Sequence, residues 1–263
     1  MANQLGVSEV SWSPDGQVFA AASDDKSVIL WSLKQVLEQG LGSAPWKRLN
    51  GHTSYVYCCA FSPNGLLLAS GGFDDALRVW DLRKGTPFME IAAHGDPITS
   101  VSFSDDSSMI LTSSYDGLIR LWDAENGRCL RTLVDNDNPP VAWASFTPNS
   151  RYILVATLDS TIRLWCPTTG KCIRTFTAPG FSLKKYSCAT KLYRSESAIL
   201  LFAGSEDGSI YCWNLDTKQL LSTTTVAPSQ PILALDIDQT NSKLVCSALT
   251  GESSKIYIFS IDK

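Results

Sequence analysis

Histidine is scarce in this chain: 263 residues hold only His52 and His94. The eight cysteines include no C-x-x-C pair and no Cys/His cluster with zinc spacing, so no metal site is expected. G-x-S-x-G, G-x-x-x-x-G-K-[ST] and G-x-G-x-x-G are all missing, and with them the usual esterase, phosphate-loop and dinucleotide signatures. No catalytic residue and no cofactor is expected. A basic excess is lacking too: the net charge is −4 and the pI near 5.2, the opposite of a nucleic-acid binder's global field. No apolar run approaches the ~18 residues of a membrane span, and MANQLGVSEV has neither a basic start nor a long apolar core. A soluble, non-exported protein is expected, with no direct nucleic-acid or membrane partner. Most cysteines fall at strand positions (YVYCCAF, RCLRTL, KCIRTF, IYCW, LVCSAL), which reads as buried reduced thiols in a cytosolic or nuclear compartment.

What the chain has in quantity is repetition. Six strands end in an aromatic at one phase: SVILW at Trp31, ALRVW at Trp80, LIRLW at Trp122, TIRLW at Trp165, SIYCW at Trp213 and KIYIF at Phe259. Steps of 42 to 49 residues, with Trp-Asp kept at Trp80-Asp81 and Trp122-Asp123, have the spacing of WD-type β-propeller blades. The prediction is an all-β propeller of six encoded blades forming a single domain, 1–263.

Each copy reads as four short strands separated by Asn-Gly, Asp-Gly or Lys-Gly turns, as antiparallel hairpins require. In the second copy these are YVYCCAF, LLLASGG, ALRVWDL and PFMEIAA. The first copy carries an insertion, SLKQVLEQGLGSAPW, whose start predicts one or two helical turns capped by Gly40. The sixth supplies ILALDID, KLVCSAL and KIYIFSI and then stops. Either a ring closes with a three-stranded last blade, or the chain lacks an N-terminal stretch, since MANQLG is too short to supply the closing strand.

Both histidines directly precede a first strand. In WD-type repeats this histidine joins a buried hydrogen-bond chain, so the resemblance to such repeats implies that the matching sets His52, Ser70, Asp74, Trp80 and His94, Thr112, Asp116, Trp122 are scaffold rather than general bases. The turn aspartates recur at Asp25, Asp74, Asp116, Asp159 and Asp207, and recurrence marks scaffold, because an active site needs its residues once.

Several stretches are more specific than the repeat: LGVSEVSW, ASDDKSV, YVYCCAFSPNG, AHGDPITSV, SSYDGLIRLWD, DNDNPPV, RYILVATLD and AGSEDGS. Together they resemble the propeller subunit of COMPASS/MLL-type histone methyltransferase complexes, over nearly the whole chain but less closely after about Ser182. That family has seven blades, and this chain matches from the second onward. The resemblance implies two binding surfaces. One is the mouth of a central channel that accepts an arginine side chain, at Gly6, Ser8, Asp24, Tyr57, Phe73, Pro97, Thr99, Tyr115, Tyr186, Ser187 and Leu233. Aromatic faces and fixed acceptors suit a planar guanidinium. Where the family has two phenylalanines around that arginine, this chain has Tyr57 and Ala189, and the alanine offers no stacking face. The other is a groove for an acidic-hydrophobic peptide at Asn149, Tyr152, Leu164 and Arg174.

The resemblance thus implies a non-catalytic nuclear scaffold, one copy within a hetero-complex, whose partners are methyltransferase catalytic and scaffold subunits and a histone tail. The alternative is a WD-repeat adaptor of another assembly, such as a ubiquitin ligase or an RNA-processing complex.

Overall fold

Short β-branched and aromatic runs, each closed by a tight turn, fold back on themselves throughout the chain. The computed structural model describes residues 6–40, 44–249 and 255–261. Two compact units are distinguished, Met1–Arg151 and Tyr152–Lys263, the division falling inside the fourth repeat. The described residues form five four-stranded sheets and one three-stranded sheet. These are the six blades of a β-propeller, as the repeat predicts.

In the first unit, β1 (Val7–Trp12), β2 (Val18–Ser23), β3 (Ser27–Ser32) and β4 (Lys47–Asn50) make one antiparallel meander. A second contains β5 (Val56–Phe61), β6 (Leu67–Gly72), β7 (Ala76–Asp81) and β8 (Thr86–Ala92). A third contains β9 (Ile98–Phe103), β10 (Met109–Ser114), β11 (Ile119–Asp123) and β12 (Cys129–Leu133), and β13 (Val141–Phe146) packs on β9. Helix α1 (Leu33–Gln39) lies where the insertion predicts it, and Gly40 (φ 78°) closes it by donating its N–H to the Val36 carbonyl at 2.8 Å. The insertion's 41–43 lie outside the described residues, as does MANQL.

In the second unit, β14 (Ile153–Thr157), β15 (Thr161–Cys166) and β16 (Lys171–Phe176) are followed by a sheet of β17 (Lys191–Arg194), β18 (Ile199–Gly204), β19 (Ser209–Asn214) and β20 (Leu220–Thr225). The last sheet is β21 (Ile232–Asp238), β22 (Lys243–Ala248) and β23 (Lys255–Ser260). Among the described residues β23 pairs only with β22, and its Ile256 and Ile258 are 71% and 66% exposed. The turn into β19 needs glycine: Gly208 sits at φ +86°, and a Cβ there would lie 1.7 Å from the Ala227 carbonyl oxygen.

Side chains alternate along each strand, so one face of a sheet meets the next. Leu77, Val79, Ile98, Ile110 and Trp122 form one such layer between the second and third sheets. Ala20, Leu30, Val56, Leu68 and Trp80 form another between the first and second. Five cysteines are buried as expected, and burial pushes the Cys188 thiol up to about 12. Cys129 and Cys172 correct the expectation: both are exposed. Each sits near the start of an outermost strand (β12, β16), where residues on both faces reach water.

Both buried chains form as predicted. Trp122 Nε1 donates to Thr112 Oγ1 at 2.9 Å, His94 Nε2 lies 2.7 Å from the same hydroxyl, and His94 Nδ1 lies 2.9 Å from Asp116 Oδ2. The second sheet repeats this with Trp80 to Ser70 (2.8 Å), Ser70 to His52 (2.8 Å) and His52 to Asp74 (2.9 Å). The indole can only donate, so the hydroxyl accepts from it, and the carboxylate can only accept, so Nδ1–H donates to it; in the neutral imidazole Nε2 then accepts the hydroxyl's own proton.

Two outcomes follow for the third sheet. Thr112→Val leaves an indole N–H and an imidazole nitrogen unpaired and should destabilise the protein by about 1–3 kcal/mol in urea unfolding. Acid should act on the same chain. Burial, with Arg120 nearby, holds the His94 pKa below its usual 6.5, so the unfolded chain binds the proton more readily. That contribution is complete above 6.5 and is lost as pH falls below it. Burial alone would raise the Asp116 carboxyl, but the Leu118 and Gly95 N–H groups and His94 hold it below 3.8, so its own contribution is lost only at lower pH still. The melting temperature should fall between pH 7 and 5, and less steeply in His94→Gln; equal slopes would exclude His94 as the cause.

Candidate functional site

One backbone device recurs at the end of the second strand of a repeat. In the first unit the N–H of the residue before each turn aspartate donates back to the segment leading into the first strand. Asp24 donates to Gly6 O (3.0 Å), Phe73 to Tyr55 O (2.9 Å) and Tyr115 to Pro97 O (3.3 Å). In the second unit Glu206 does the same to Ser182 O at 2.9 Å. Residues at this place therefore present their side chains from equivalent positions.

In the first unit four of the expected channel residues are linked in a chain: Phe73 to Tyr57, Tyr57 to Tyr115, and Tyr115 to Pro97. Phe73 stands edge-on to both Tyr55 and Tyr57, each ring centroid 6.0 Å away. The Tyr57 hydroxyl donates to Tyr115, and burial together with that bond raises the Tyr57 pKa. Asp24 packs so closely on Gly6 that a Cβ there would lie 2.5 Å from Asp24 Oδ2. Ser8 lies on β1, exposed. Thr99 behaves differently: it is 3% exposed, and its hydroxyl is committed to the Val141 carbonyl at 2.9 Å and to Ser113 at 2.8 Å. It braces β9 and offers little to a ligand. Pro97 contributes its carbonyl to Tyr115.

In the second unit, Tyr186 and Ser187 lie in the irregular segment before β17, and Leu233 lies on β21. Glu206 organises that segment by accepting the N–H groups of Lys184 (2.7 Å), Lys185 (2.6 Å) and Tyr186 (3.0 Å) with one oxygen. Burial alone would raise its pKa, and those donors bring it below the usual carboxylate range. Ala189 follows in the same segment, partly buried.

Of the groove residues, Leu164 and Arg174 face each other across β15 and β16. Leu164 is 1% exposed and can only shape a floor. Tyr152, just before β14, is exposed. Arg174 is not a bare cation: its Nη1 donates to the Leu215 carbonyl (2.8 Å) and to Asp216 Oδ1 (3.1 Å). Sequence reading missed Asp216, although it lies in the turn after β19. In the first unit, Asn149 accepts from the Thr147 hydroxyl (2.8 Å) and the Arg151 N–H (3.1 Å), which shapes its turn.

Neither histidine is available as a base, since both ring nitrogens of each are occupied. Among the described residues no three His, Cys, Asp or Glu side chains are placed to hold a metal ion.

The COMPASS component SWD3 of Saccharomyces cerevisiae is 36% identical over 261 residues, spanning 93% of this chain and 79% of that protein. Other matches are partial: WD repeat and SOCS box-containing protein 1 of Xenopus tropicalis is 38% identical over 81 residues, 30% of this chain and 18% of that protein. The small ribosomal subunit protein RACK1 of Medicago sativa is 39% identical over 72 residues, 27% of this chain and 22% of that protein. The family description "WDR5 beta-propeller domain" matches residues 1–260, and the chain belongs to that family.

Proposed function

We propose that this chain is a non-catalytic WD-repeat scaffold of a COMPASS-type histone H3 lysine methyltransferase complex, a single propeller domain that acts in the nucleus as one copy among different subunits. The near full-length likeness to a COMPASS component carries this reading. The partial matches reach only single stretches of repeat and favour no other assembly. Two locked histidines and a buried polar framework leave the protein's chemistry to binding. Removing the chain from cells should lower histone H3 lysine methylation, and a tagged copy should co-purify methyltransferase activity on H3. Unchanged methylation together with a purification free of that activity would overturn the reading.

Two surfaces would serve this role. The aromatic and acidic rim of Tyr57, Phe73, Tyr115 and Asp24 suits an arginine side chain from a catalytic subunit or a histone tail, by stacking and charge. The region of Tyr152, Leu164 and Arg174, with Asn149 preceding it in sequence, suits an acidic-apolar peptide of a scaffold subunit. The Arg174–Asp216 pair sharpens the second proposal, because a peptide carboxylate must compete with Asp216 for the guanidinium. Arg174→Glu should weaken such a peptide in calorimetry, whereas Asp216→Asn should tighten it and steepen its salt dependence. Equal affinity across all three proteins would remove Arg174 from the site.

A further inference from the structure

The first unit holds a second concavity, unrelated to the two surfaces above and independent of the proposed complex. Between the second and third sheets, at the end where β5 turns into β6 and β9 into β10, lies a cleft of about 460 Å³. That is within the size range of ligand-binding clefts, roughly 300–1,000 Å³. The Asn64 N–H donates to the Ser107 hydroxyl at 3.1 Å and ties the two turns together at this cleft. Leu66 and Phe88 line it and remain 41% and 48% exposed, a large apolar offering for side chains that nothing in the unit covers further.

Its charge is lopsided. Asp81, Asp123 and Glu125 line it, against the single guanidinium of Arg83. Lys84 Nζ lies 3.8 Å from Asp81 Oδ2 and offsets that carboxylate. Among the described residues Asp123 accepts only from neutral groups, the N–H of Glu125 (2.8 Å) and Asn126 (3.2 Å) and the Asn126 side-chain amide (3.1 Å), and none of these carries an opposing charge. Glu125 is exposed. Two uncompensated carboxylates beside two exposed apolar side chains complement an extended segment in which a Lys or Arg adjoins a large aliphatic or aromatic residue.

We propose that this cleft docks a basic-apolar peptide segment of a partner protein, the apolar side chain between Leu66 and Phe88 and the cation against Asp123 and Glu125. The sign is opposite to that of the peptide proposed for Arg174, so one chain would sort two kinds of segment by charge. Like-charge contact disfavours the wrong segment as much as attraction favours the right one.

The test is an amide-resolved NMR titration of the full chain with the capped hexapeptide GKLKLG and its charge-reversed counterpart GELELG. GKLKLG should shift the amides of Leu66, Phe88 and Glu125, and GELELG should not. Glu125→Lys should weaken GKLKLG several-fold, and Arg83→Glu should tighten it several-fold. Both side chains are exposed, and a gain of affinity cannot arise from misfolding, so the second variant decides the matter if the first is unstable. Absence of shifts at those amides, an equal response to both peptides, or indifference to both variants would overturn the proposal.

Discussion

Every turn aspartate in this protein must be given a strong donor, and the way each repeat supplies one governs what that repeat can bury. Asp74 and Asp116 receive His52 and His94. Asp159 receives Arg163 at 2.7 Å, Asp25 receives Arg48, and Asp207 receives the Tyr211 hydroxyl at 2.9 Å. The aspartate fixes the turn by also accepting from the backbone just beyond it, as Ser27 and Leu118 show at 3.1 and 2.9 Å. An aspartate without its side-chain donor would hold that turn while leaving a half-buried charge poorly matched, at a cost of several kcal/mol where burial is deep.

The donor's identity propagates inward. A histidine reaches the turn only by threading the sheet, so the second strand must present a hydroxyl to its other nitrogen, and the indole of the third strand then shares that hydroxyl. Ser70 and Thr112 fill this place, ten residues before Trp80 and Trp122. Where arginine or tyrosine serves the turn instead, no hydroxyl is required, and Ala21, Val155 and Ala203 occupy the same place. The indoles then fare differently. Trp213 Nε1 finds the Thr177 carbonyl at 3.3 Å, whereas Trp165 Nε1 is buried with no partner among the described residues. An unmade bond of that kind costs about 1–3 kcal/mol, so the fourth repeat contributes less than its sequence similarity to the third implies.

The repeats and their strands were legible because each is set by local spacing: a turn, a strand of about six residues, another turn. Gly40 was legible as a helix end for the same reason. The two histidine chains were legible only through the resemblance to WD-type repeats. What escaped was decided between repeats. The Arg174–Asp216 pair joins residues forty-two apart that belong to different copies, and no periodic pattern announces it. Leu164 reads as a surface groove residue by resemblance but is covered, and Cys129 reads as a strand cysteine but lies on an outermost strand. The acidic cleft was invisible for a related reason. Asp81 and Asp123 belong to the repeated Trp-Asp pair, and their repetition made them look structural, which they are. Only their neighbours, Phe88 on β8 and Glu125 in the turn after β11, turn that scaffold into the proposed docking surface.

A division of labour within each repeat follows from the same physics. The residue before the turn aspartate is held by a backbone N–H bond that any amino acid except proline can make, so Asp24, Phe73, Tyr115 and Glu206 occupy equivalent places with different side chains. Positions in the histidine chains have no such freedom, since each atom is already a donor or an acceptor to a named partner. Substitution there destabilises the sheet, whereas substitution one residue away changes what the rim presents. A fold that carries its position in the backbone and its recognition in the side chain can therefore alter partners without altering its architecture, and the mixed rim of Asp24, Phe73 and Tyr115 is the consequence. Invariant side chains at this place would have argued for stability alone; a place that is fixed by the backbone but varied in chemistry argues for binding.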